Sequence, residues 1–399
     1  MKRHVTSGIV IFLLCVFVLG MYISQHKEED VAPGGDRLNE VPNVNLGEQP
    51  DVGADDPPLS PTNILPELER IKAFEKGDSA DDDWQSSEVD YVLLSDMETW
   101  IKGDIRWEFN SEERIHDIYI DERHFQYIEG TNVGKEHHRY FPMRDGISQT
   151  ENGTAVCSDF IKYGLGYEIQ KKHEEPGQRY LYLSDGEPFA REVQAAEGNA
   201  PVKEWSVEQR NERMVNLACP ITGAIVTPKS SQWPGAPRPY RNGYHEGLDM
   251  YAFTSGVIVN KMTDILSMDQ GIVIRADHGY VELQKNDRDQ LLAIAAQRPV
   301  TPEYILDEVR GRSVWIQHSN GVIGRYVHLD QIADDVKVGE LVSKGQVIGK
   351  AGNSGTSYGV EGNDEGVHLH LDILIDGQLF WEGLSPEQTV GILKKVFSN

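Results

Sequence analysis

Cysteine is scarce in this chain. There are three, Cys15, Cys157 and Cys219, and no Cys-x-x-Cys pair, which argues against a thiolate zinc site. Cys15 lies in an apolar run, so an intramolecular bridge could join only Cys157 to Cys219. A bridge and two separate thiols both stay open. Positive charge is also short: 38 Lys and Arg face 64 Asp and Glu, a formal net charge of −26. That balance argues against nucleic acid as the main partner, and against plain electrostatic adhesion to anionic lipids or wall polymers.

What is present starts with a basic tip, Met1-Lys2-Arg3-His4, and an almost wholly apolar run over residues 9–23. Residues 5–24 approach the length that spans a bilayer, and an acidic cluster, Glu28-Glu29-Asp30, follows. The basic tip places the N-terminus in the cytoplasm and the bulk of the chain outside, in the cell envelope. No small-x-small cleavage site follows the run. Residues 1–24 therefore read as an uncleaved transmembrane anchor; the competing reading is a signal segment, whose removal would leave a secreted protein. The bulky Leu14 before Cys15 disfavours lipidation. Residues 25–65, rich in Pro, Gly, Asp, Glu and Asn, read as a flexible acidic tether.

Residues 66–212 regain globular composition and read as an α+β region of unassigned fold. A helix is expected over 66–74, and strands over 89–94, 118–120 and 180–183. No chemical motif appears there, and His116, His124, His137, His138 and His173 read as surface residues. From 216 to 383 the pattern is mainly β: short strands separated by glycines over 223–226, 256–259, 271–274, 279–283, 313–318, 324–329 and 346–349. An antiparallel sheet or sandwich is expected, interrupted by one helical insertion over 288–310 and followed by a C-terminal helix within 384–399.

Two stretches carry chemistry. Gly366-Val367-His368-Leu369-His370-Leu371-Asp372-Ile373 alternates as a strand, so His368 and His370 share a face. Imidazoles so placed can hold a metal or do acid–base work. In Tyr244-His245-Glu246-Gly247-Leu248-Asp249, the flanking glycines and the run from Pro237 to Gly243 oppose a zincin-type helix. His245 is expected at a loop end and Asp249 at the start of a strand.

The order of His245-Glu246-Gly247-Leu248-Asp249, Tyr326-Val327-His328-Leu329 and His368-Leu369-His370 resembles the lysostaphin-type (LytM-like) zinc metallopeptidases of bacterial peptidoglycan. The turn Gly352-Asn353-Ser354-Gly355-Thr356-Ser357 and the hairpin over 338–349 add to the likeness, which covers about 220–380. The resemblance implies that His245, Asp249 and His370 ligate zinc, that His368 is a general base and that His328 donates to the oxyanion. It implies a zinc endopeptidase acting on stem or cross-bridge peptides. The alternative is a catalytically silent, or partner-activated, envelope scaffold or binding protein using the same domain. His318 reads as packing or support and His278 as surface; Asp372 is left between orienting an imidazole and lying on the strand surface. The link over 358–365 and the helical insertion depart from the family pattern and could border or occlude the groove until a regulatory protein partner moves them.

Overall fold

Strict alternation makes Ile115–Ile120 a strand with one covered face: His116, Ile118 and Ile120 are buried and the residues between them are not. It is the second strand of a five-stranded antiparallel meander, β1 (Ile105–Asn110), β2 (Ile115–Ile120), β3 (Arg123–Ile128), β4 (Val133–Glu136) and β5 (Arg139–Pro142), whose spatial order follows the sequence. The computed structural model describes residues 71–74, 91–98, 101, 103–137, 139–143, 146–175, 178–185, 200–318 and 321–398. The expected anchor (1–24), the tether (25–65), Cys15 and His138 lie outside them. Among the described residues no helix is long and apolar enough to cross a membrane.

The C-terminal half is built on an antiparallel sheet of β6 (Leu248–Tyr251), β7 (Gly271–Ala276), β8 (Val314–His318), β9 (Val322–Val327), β10 (Leu341–Val342), β11 (His368–Ile375) and β12 (Gln378–Leu379). The order is β6-β11-β9-β8-β7-β10, with β12 paired to β11. All eight residues of β11 are buried. Period two divides them: Leu369, Leu371, Ile373 and Ile375 enter the main core, with Val314 and Ile316 of β8 and Val322 and Tyr326 of β9. His368, His370, Asp372 and Leu374 line the opposite face.

The main core is closed by α1 (Val207–Met214) and α4 (Pro386–Val396), through Met214, Val390, Leu393 and Val396. Both helices start with a capping box, Ser206 with Gln209 and Ser385 with Gln388, which satisfies otherwise orphaned N–H groups. On the opposite face, Leu374, Ile323, Trp315 and Ile274 meet Val133 and Tyr140 of the meander. The insertion between β7 and β8 is two helices, α2 (Lys285–Ala296) and α3 (Glu303–Arg310).

The structure is mainly β with antiparallel sheets, as expected, but several local expectations fail. Ile71–Phe74 is a strand, not the end of a helix, and pairs in parallel with Gln178–Asp185. Residues 223–226, 256–259 and 279–283 form no strands. Ala224, Val226 and Val259 still reach the core while Ile225, Ile258 and Val281 point to solvent, and none of these stretches joins a sheet. His116 is buried, not on the surface: its Nε2 meets Glu129 at 3.1 Å and its ring stacks on Phe109. Cys157 and Cys219 form no disulfide with each other, which decides against the bridge.

Candidate metal centre

Strand register assembles the site. Asp249 on β6 pairs with His370 on β11, and Val327, the residue before His328, pairs with the same His370 from β9. His245 stands at a loop end, as expected. Its backbone is tied at both ends: the N–H donates to Ala236 O at 2.7 Å, and the carbonyl accepts from Gly235 N–H at 2.8 Å. His245, Asp249, His368 and His370 are all buried, and the His328 ring, partly exposed, lies 4.9 Å from that of His368 and 5.6 Å from that of His370.

Each imidazole is fixed by one nitrogen and presents the other. A carbonyl or carboxylate oxygen can only accept, so the proton positions follow from the partners. His245 Nδ1–H donates to Trp233 O at 2.9 Å. His370 Nε2–H donates to Asp372 Oδ1 at 2.6 Å. His328 Nδ1–H donates to Ser354 O at 2.7 Å, and His368 Nδ1–H to Gly366 O at 2.8 Å. The ring of His368 is further held by stacking on Tyr251, 4.1 Å between centroids and 11° between planes.

His245 Nε2, Asp249 Oδ1 and His370 Nδ1 consequently face one another. The separations are 2.9 Å from His245 to Asp249, 3.0 Å from His245 to His370 and 2.9 Å from His370 to Asp249. Three such atoms within 3.0 Å of one another can converge on a single cation, and the trio satisfies the geometry of a metal-ligand group. The donor set fits zinc: two imidazole nitrogens and one carboxylate leave a fourth tetrahedral position open. Burial opposes charge on His370, but the Asp372 and Asp249 carboxylates outweigh it and push the imidazole up to about 9. So basic a ligand binds a cation well once its proton leaves. Burial would raise the Asp249 carboxyl; the adjoining imidazoles of His245 and His368 instead hold it well below the usual range. Burial, and then the rings of His368 and His370, lower His328 well below an ordinary imidazole.

Residues 288–380 match the family described as Peptidase family M23. The chain carries a peptidase family M23 domain. His328, His368 and His370 lie within the matched M23 residues; His245 and Asp249 precede them and join through the fold. The chain is 41% identical over 68 residues to the peptidoglycan DD-endopeptidase ShyA of Vibrio cholerae serotype O1, covering 17% of this chain and 14% of that protein. It is 36% identical over 83 residues to ShyC of the same organism, covering 21% and 17%. The matched stretch thus spans under a fifth of these curated relatives. Among solved structures, the catalytic domain of lysostaphin from Staphylococcus simulans shares 16% identity at a TM-score of 0.23, over 47% of this chain and 99% of that one.

Of the remaining candidates, Asp372 is fully buried against His370 rather than on the strand surface. His318 is buried on the core face, with Nδ1–H donating to Gln270 O and Nε2 beside the Tyr326 hydroxyl, away from the M23 site. His278 is exposed and donates to Val336 O. Sequence reasoning misses the charged groups behind the ligands. Arg238 Nη2 lies 3.6 Å from Asp249 Oδ2, and Arg310 Nε lies 3.4 Å from Asp372 Oδ2. No local spacing marks either arginine.

Proposed function

We propose that this chain is a zinc-dependent endopeptidase that hydrolyses peptide bonds of bacterial peptidoglycan. The observation that carries the reading is the convergence of His245, Asp249 and His370 in one buried triangle flanked by His328 and His368. Sequence identity to two peptidoglycan DD-endopeptidases supports the substrate class. The basic tip and apolar run at the N-terminus support a membrane anchor, with the peptidase domain in the cell envelope.

His245, Asp249 and His370 would hold the ion. Zinc there supplies Lewis acidity, polarising a carbonyl and acidifying a water. His368, with Nδ1–H committed to Gly366, offers Nε2 to take the proton of the attacking water and return it to the leaving nitrogen. His328 can donate to a developing oxyanion only as an imidazolium, because the Ser354 carbonyl already takes its Nδ1–H. In its neutral form His328 Nε2 is an acceptor. The proton that His368 takes from the water would make its own Nε2 a donor within the site, its ring centroid 4.9 Å from that of His328, until that proton passes to the leaving nitrogen.

The test is digestion of purified peptidoglycan by the chain, read by mass spectrometry, with chelated and zinc-restored arms. New peptide ends should appear, vanish on chelation and return with zinc. No new ends from folded, zinc-loaded protein would overturn the reading.

A further inference from the structure

The helical insertion ends at Arg310, and Arg310 reaches both halves of the site. Its carbonyl accepts the backbone N–H of His328 at 3.1 Å, and beside it the Arg312 carbonyl accepts that of Leu329 at 2.9 Å. Its guanidinium, with a side chain 6% exposed, lies with Nε 3.4 Å from Asp372 Oδ2. The other oxygen of Asp372 takes the Nε2–H of His370. Asp372 Oδ2 is buried and makes no hydrogen bond among the described residues. Only cations compensate it there: Arg310, and Arg325 Nη1 at 3.8 Å. Glu303, one helix α3 away, ties the two arginines together, at 2.8 Å from Arg310 and 3.2 Å from Arg325.

The Arg310 guanidinium holds Oδ2 on one side of the carboxylate and so fixes the plane in which Oδ1 meets Nε2–H of His370. Without it, the carboxylate loses its anchor on that side and can rotate away from the imidazole. The imidazole of His370 would then be free to tilt, or to change which nitrogen bears its proton. A single helix end also sets the backbone of His328, just past the end of β9. We infer that Arg310 is a positioning residue: through Asp372 it fixes the ligand nitrogen of His370, while its carbonyl pins His328. The helical insertion is thereby part of the scaffold of the metal centre. This role rests on the metal-centre reading proposed above.

Arg275 supplies the comparison. It is as buried as Arg310 and is paired with Asp277 at 2.8 Å and Asp307 at 2.6 Å; Asp307 also stands 3.8 Å from Arg310, but neither partner is Asp372 or a site histidine. The 399-residue chain is compared as wild type, Arg310→Gln, Arg310→Lys and Arg275→Gln. Zinc affinity is read by competition with a chromophoric chelator, and the stability of metal-stripped protein by denaturant titration. Arg310→Gln should weaken zinc binding by about 10- to 100-fold, the usual effect of losing a group that orients a ligand. Arg310→Lys, which keeps the charge but loses the guanidinium geometry, should fall between Arg310→Gln and wild type. Arg275→Gln should lose stability with zinc affinity within about twofold of wild type, because it leaves the Asp372–His370 pair intact. Equal weakening in the Arg275 and Arg310 variants would reduce Arg310 to general packing and overturn the role. Unchanged affinity in Arg310→Lys would also overturn it, and that variant decides the matter if Arg310→Gln does not fold. A wild-type chain that takes up no zinc would overturn the metal centre itself, and the positioning role with it.

Discussion

The backbone N–H of His328 donates to the carbonyl of Arg310 while His328 holds a φ of 62°. A non-glycine residue in that left-handed region costs of order 1–3 kcal/mol and persists only where its surroundings fix it. Gly311 is part of what fixes it. At φ 66° and ψ −152° it occupies a conformation open to glycine, and a Cβ there would stand 2.4 Å from the Ser354 carbonyl carbon and oxygen. Ser354 O is the acceptor that orients the His328 ring. Gly311→Ala should therefore cost about 3 kcal/mol or more, and should lower peptide cleavage. Gly339, at φ 86° with open space around its missing Cβ, is the control. Gly339→Ala should cost only about 1–2 kcal/mol, the backbone term alone. Denaturant titration of both variants decides it, and equal losses would mean that Ser354 yields to the added methyl.

The proposed division of labour separates two substitutions only two residues apart. His370→Ala removes a metal ligand and leaves Asp372 without its imidazole partner, so the purified variant should retain little zinc. His368→Ala leaves the His245, Asp249 and His370 trio complete. It should keep zinc near one equivalent while turnover falls by about 10²–10⁴-fold, the usual contribution of a general base. Metal analysis beside the peptidoglycan digest reads both effects. Equal zinc content and equal activity in the two variants would refute the assigned roles.

Local periodicity makes β11 legible in sequence. Its polar/apolar alternation holds from His368 to Ile373, so the side-by-side placement of His368 and His370 follows from the two-residue repeat. The glycines around His245 similarly exclude a helix. Residues 223–226 and 279–283 have the same glycine-then-apolar look, yet form no strands, because strand formation depends on a partner that no short window contains. His116 reads as a surface histidine amid charged neighbours, but it falls on the buried beat of β2, between Trp107, Phe109 and Tyr127. The network of Glu303, Arg310, Arg325 and Asp372 is less legible still. Its members come from α3, β9 and β11: strand register sets Arg325 opposite Asp372, and the ion pairs of Glu303 and Arg310 with them form only where α3 packs on the sheet.

Acid should weaken the fold through His318. Burial, opposed only partly by the Gln270 carbonyl and nearby Asp269, lowers its imidazole from 6.5 to about 4. In the unfolded chain the ring takes up its proton near 6.5, whereas the folded chain refuses it until about 4. Between those values the unfolded state binds more protons, so stability falls as pH drops through that window and this contribution levels off below it. The loss sums to roughly 3 kcal/mol. His318→Gln should show a shallower fall in unfolding free energy between about pH 7 and about pH 5, measured by denaturant titration. An unchanged slope would place the acid sensitivity in other groups.

Tyr140 tests what joins the meander to the M23 sheet. Its ring meets Trp315 edge to face, 6.0 Å between centroids and 73° between planes. The Arg325 guanidinium lies over both rings, 3.9 Å from the centroid of Trp315 and 5.8 Å from that of Tyr140, and its Nη2 donates to the Tyr140 hydroxyl at 3.4 Å. The same arginine stands beside Asp372. At 3.4 Å the hydrogen bond is long and weak, so packing should carry most of the contribution. Tyr140→Phe should cost under about 1 kcal/mol, whereas Tyr140→Ala, which opens a cavity against Trp315, Ile323 and Leu374, should cost about 3–5 kcal/mol. Zinc affinity should stay unchanged in Tyr140→Phe, since Glu303 and Asp372 still hold Arg325 in place. If the phenylalanine variant were as unstable as the alanine one, or lost zinc, the hydroxyl–guanidinium contact would outweigh packing, and the meander would be coupled to the metal centre through Arg325.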